Sequence, residues 1–70
     1  MPLAPQFLHA HATRCRYQAA RTRRLAEAST TKSVAAELAA LASRLEHEAA
    51  HDEEEALLLE ADLKADGQLH

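Results

Sequence analysis

The residues best equipped for chemistry stand in the second half of the chain: His47-Glu48-Ala49-Ala50-His51, followed at once by Asp52-Glu53-Glu54-Glu55. Two imidazoles four positions apart share one helix face, where they can hold zinc with the intervening Glu48 as a general base. His9 and His11 stand in the first half, close to the single cysteine, Cys15. The metal reading is therefore a non-catalytic zinc site of His11, His47 and His51, completed by Asp52 or Glu48. The plainer reading is a set of solvated histidines on an acidic face, with no cofactor at all. The acidic run lacks the glycine turn and alternating ligands of a calcium loop, and it reads as a solvated face opposing basic residues.

Those basic residues are Arg14, Arg16, Arg21, Arg23 and Arg24, with no acid before Glu27. A helix so charged can contact phosphates, and Arg16, Arg23 and Arg24 are the candidate nucleic-acid residues. Tyr17 is the only aromatic among them, no reading helix stands out, and the pI is about 5.9. Nucleic acid is thus disfavoured as a partner. Cys15 falls on an apolar stripe, where a free cysteine behaves as a small hydrophobe. Its alternatives are a disulfide between two copies, or nucleophilic work with His11, for which no orienting third group is visible. One cysteine excludes a disulfide scaffold and suits a reducing cytoplasm.

The elements that must carry these groups are helical. Pro5 suits a first helical turn, and no Gly or Pro interrupts Gln6 to Ala28. There Phe7/Leu8, His11/Ala12, Cys15, Gln18/Ala19, Thr22 and Leu25/Ala26 recur at spacings of three and four, the period of one helix face. Ser29 to Ser33 form the break, four of the five being hydroxyl residues that favour turns and caps. Ser33 is the expected cap of a second helix running through Val34, Leu38, Leu41, Leu45, Ala49, Asp52, Ala56, Leu59 and Leu63. Asp52 is its one interruption. Glu60 and Lys64 are spaced to pair, and Gly67 is a natural stop. The expectation is an all-α chain, one domain over 1–70: helix about 5–28, turn 29–33, helix about 34–66, folded as an antiparallel two-helix hairpin.

Charge supports that pairing. Residues 1–33 carry six basic side chains against Glu27 alone, and residues 34–70 carry two against ten acidic ones. With the turn centred near Thr31, Arg14 lies level with Glu48, Arg16 with Glu46 and His11 with His51. The two helices should be about 35 Å and about 47 Å long, so the second overhangs the first. The overhang holds Leu57, Leu58, Leu59 and Leu63, which wrap more of the helix than one neighbour can cover. Moreover, 17 of the 70 residues are Ala, which bury little surface. A scaffold this small usually needs a disulfide, a metal or self-association. The hairpin is therefore expected to be a homo-oligomer, most simply a dimer forming a four-helix bundle, with the four leucines as partner-binding anchors. No uncharged stretch is long enough to span a membrane, and no secretory signal stands out.

Two resemblances accompany these residues. His47 to His51 is similar to the zincin metallopeptidase signature over five residues only. That fold needs a sheet and a further ligand, for which the chain has no room. The stretch from Ala12 to Ala50, which reads ATRCRYQAA over 12–20 and LAEASTTKSVAAELAALASRLEHEAA over 25–50, resembles small uncharacterised helical-hairpin proteins of proteobacteria. In those, R-x-x-A and L-x-x-L-A patterns flank a short polar turn. The resemblance covers a little over half of the chain. It implies a hairpin and a bacterial cytoplasmic setting, and no activity. The functional expectation is a non-enzymatic interaction or regulatory module working through self-association and protein contacts, its acidic leucine arm offered to a groove on a protein partner. The alternatives are a metal-binding protein or a small regulator touching nucleic acid.

Overall fold

The computed structural model describes residues 4–68. It contains two helices, α1 over Pro5–Ala28 and α2 over Lys32–Gln68, packed on one another as a rod about 60 Å long and 19 by 13 Å across. Pro5 opens α1, and the Ala4 carbonyl accepts the first bond, from the Phe7 amide at 2.9 Å. At the other end Ser29 turns extended while its amide still bonds Ala26, at 3.2 Å. The Ser29 hydroxyl then bridges to the Thr31 backbone at 3.3 Å, tying a linker of three residues.

α2 starts earlier and ends later than expected. Thr31, not Ser33, precedes it, and the Thr31 carbonyl takes the Ala35 amide at 2.9 Å. Gly67 does not stop the helix, because its backbone stays out of the left-handed region that a glycine cap uses. Leu69 and His70, the rest of the expected frayed end, lie outside the described residues, as do Met1 to Leu3 of the lead-in.

The buried face has a strict seven-residue repeat. In α1 it runs Leu8, Ala12, Cys15, Ala19, with Thr22 and Ala26 half-buried. In α2 it runs Ala35, Leu38, Ala42, Leu45, Ala49, Asp52, Ala56, Leu59, with the alanines from Ala42 onward most deeply buried. Alternating steps of three and four are the signature of two helices winding around each other. Alanine holds every seventh position in both, Ala12, Ala19, Ala26 and Ala35, Ala42, Ala49, Ala56. Such small side chains let the two backbones approach closely.

This corrects the expected stripe. Val34, Leu41 and Leu63 are exposed, as are Phe7 and Leu25, while Ala42 is fully buried. The contact follows the alanines because close approach demands small residues at the seam, which pushes neighbouring larger side chains to the flanks. At the centre Ala12, Cys15 and Ala49 form one cluster with Leu45 packed against it.

Candidate functional site

The two flanks of this seam carry the polar chemistry. On one flank His9, Arg16 and Arg23, each seven residues apart, face Glu60, Glu53 and Glu46, spaced likewise. His9 Nε2 lies 2.7 Å from Glu60, Arg16 grips Glu53 through two nitrogens at 3.0 and 2.8 Å, and Arg23 Nε donates to Glu46 at 2.7 Å. The bidentate hydrogen bond raises the Arg16 pKa and holds the Glu53 carboxyl below the ordinary carboxylate range. The level pairing expected from the turn is thus corrected: Glu46 takes Arg23, and Arg16 reaches Glu53. Helical side chains lean toward their own N-terminus, so in an antiparallel pair each partner is met further along the chain than its Cα level indicates. Glu60 is engaged by His9, and no Glu60–Lys64 pair forms among the described residues.

Near the middle of the seam, toward its other flank, is a mixed cluster. His11 Nδ1 donates to Asp52, whose side chain is only 12% exposed. Cys15 Sγ stands 3.7 Å from His11 Nε2, and Glu48 Oε1 is 4.0 Å from the same nitrogen. One ligand atom each from His11, Cys15 and Asp52 fall within 4.8 Å of one another, and so do atoms of His51, Asp52 and Glu55. Asp52 belongs to both groups. It occupies a core position where the other members of its seven-residue series, Leu38, Leu45 and Leu59, are leucine. A buried carboxylate without a partner is strongly unfavourable, and the imidazole of His11 supplies that partner. Burial, then the carboxylates of Glu48 and Asp52, push the Cys15 thiol upward, so it rests protonated rather than poised as a nucleophile.

Of the histidines singled out by spacing, His11 and His51 both come close to Asp52, and His47 does not join them. His47 is exposed and lines a shallow open groove with Ser43, Arg44, Glu48 and His51. An i,i+4 pair projects as a unit only from the face that carries both residues, and that face points away from α1. Spacing alone gives Cys15 a packing role and marks Asp52 as an interruption; what joins them is the register. Of the candidate nucleic-acid residues, Arg16 and Arg23 are engaged in the flank pairs, whereas Arg24 makes no ion pair among the described residues. Arg14 and Arg21 are likewise free of ion pairs there, and with Tyr17 they line an open outer face of α1.

The leucines divide. Leu59 is half-buried, and Leu57, Leu58 and Leu63 are 61%, 63% and 61% exposed. With Ala12 packed beside Ala49, Pro5 stands level with Ala56, so the backbone of α2 from Leu57 onward runs past the start of α1, with the Glu60 side chain reaching back to His9. Leu63 is the next member of the alanine series after Ala56, bare because α1 has ended. No described helix is long and apolar enough to cross a membrane. No protein-family model, curated protein or solved structure matches the chain.

Proposed function

We propose that this chain is a non-enzymatic helical interaction module that works by self-association, a second copy covering the leucine arm of the first in a four-helix arrangement. The observation that carries this reading is the poverty of the single-chain core. No large side chain is fully buried among the described residues, while Leu57, Leu58 and Leu63 lie mostly in water. Burying one such leucine is worth about 1.5–3 kcal/mol, so three uncovered leucines are a substantial driving force for association. Charge favours a second copy as the occupant. The arm and the turn of α2 just before it carry Glu54, Glu55, Asp62 and Asp66, and α1 offers Arg14, Arg21 and Arg24, which are unpaired among the described residues. The protonated Cys15 thiol and the outward face of His47 favour an interaction role over catalysis. A cytoplasmic setting, where Cys15 stays a free thiol, fits the same reading.

Sedimentation equilibrium at micromolar concentration tests it. The expected result is a dimer that becomes a monomer in the double variant Leu57→Asp, Leu63→Asp. A well-folded wild-type monomer at that concentration would overturn the proposal.

A further inference from the structure

We propose that the inter-helix cluster of His11, Cys15 and Asp52 is a zinc-binding site, with Glu48 or a water completing a tetrahedral set. Three observations point there. First, the ligand atoms are already gathered: His11, Cys15 and Asp52 offer nitrogen, sulfur and oxygen within 4.8 Å of one another. The edge of a zinc tetrahedron with bonds of 2.0–2.3 Å is about 3.3–3.8 Å; Cys15 Sγ stands 3.9 Å from His11 Nδ1, the nitrogen that faces Asp52, so a small opening of the His11–Asp52 contact makes room for the ion. Second, the donors come from both helices, so the cation would clasp α1 to α2 at the middle of the seam. Third, Asp52 is a carboxylate at a core position that leucine fills elsewhere in the same series. Packing alone would favour leucine there; a cation gives the carboxylate a use that leucine lacks.

The chemistry selects the ion. One thiolate, one imidazole and one or two carboxylates form a borderline-soft set that suits zinc and disfavours calcium or magnesium, which take oxygen alone. Binding needs a deprotonated thiol, and in the metal-free protein Cys15 is protonated. Zinc therefore displaces the thiol proton to solvent, and the proton that His11 donates to Asp52 is either released or kept on the ring nitrogen that does not bind the metal. At least one proton leaves per ion bound. His11 and Glu48 are half open to water and give the ion a route in.

Titration of the metal-free chain with zinc chloride, followed by calorimetry in two buffers of different ionisation enthalpy, tests the proposal, together with the absorption spectrum of the cobalt-substituted protein. The expected result is one ion per chain with proton release, and a sulfur-to-cobalt charge-transfer band. Cys15→Ser, close to isosteric, should abolish the band and weaken zinc at least tenfold, whereas His47→Ala should leave both intact. The proposal is overturned if wild-type protein shows no such band. It is equally overturned if zinc binding survives Cys15→Ser and is lost in His47→Ala, which would place the ion on the exposed histidine pair. Stoichiometry per chain is independent of oligomeric state, so a monomeric result elsewhere leaves this test unaffected.

Discussion

The zipped part of the hairpin and the overhanging arm of α2 are two stretches of one continuous helix with one continuous repeat, and they behave as different materials. Between Ala35 and Ala56 every seventh residue is an alanine pressed against α1. Seven residues on, Leu63 occupies the same series and is exposed. The apolar period along α2 continues through that point, with leucine in place of alanine; what stops, among the described residues, is α1. Burial in a two-helix protein is therefore a property of the pair, and the longer helix reports what is missing.

That contrast can be broken most severely at the seam. Ala49→Leu should force the backbones apart and destabilise the hairpin by about 1–3 kcal/mol, read from urea unfolding followed by circular dichroism. Ala61→Leu, the same change on the exposed arm, should leave unfolding nearly untouched. Next in size is the arm itself. Leu63→Ala should not loosen the zipped region, yet it should weaken self-association about tenfold, equivalent to ~1.4 kcal/mol, measured by sedimentation.

The flank pairs rank third. They are exposed, so Arg23→Ala should lower stability by about 0.2–1 kcal/mol, an effect that shrinks in high salt. Exchanging the charges, Arg23→Glu with Glu46→Arg, should restore most of it, and failure to do so would mean that the rung is incidental to register. The smallest effects are in pH. Glu53 has a lowered pKa in the folded chain, so its contribution is present above the ordinary carboxylate range and disappears as pH falls through the lowered value. Melting curves of wild type and Glu53→Gln should converge in acid. Cys15 has the opposite sign. Its raised pKa means that its contribution holds below the ordinary thiol range and is lost as the solution becomes alkaline. Wild type should therefore lose stability faster than Cys15→Ser above that range, and native Cys15 should alkylate slowly at neutral pH.

Much of the hairpin is legible in the sequence alone. Pro5, the hydroxyl-rich break and the spacing of three and four place both helices to within a few residues, because local backbone preference and apolar period act over short distances. The candidate site is legible only in parts. Asp52 stands out as a break in an apolar stripe and Cys15 as a member of another, but nothing local says that the two meet. The seven-residue spacing of His9, Arg16 and Arg23 against Glu46, Glu53 and Glu60 is also in plain view. Level counting from the turn misassigns the partners, because it ignores the lean of helical side chains.

By itself, then, the order of residues determined the helices, the turn, the opposition of charge and the surplus of leucine at one end, all of which follow from neighbours within a turn or two. Tertiary contact decided which stripe became the seam. Val34 and Leu41 are more apolar than Ala35 and Ala42, and a lone helix would give them the preferred face. Close approach of two backbones rewards the smaller side chains instead, and that choice brought His11, Cys15 and Asp52 together and left His47 outside.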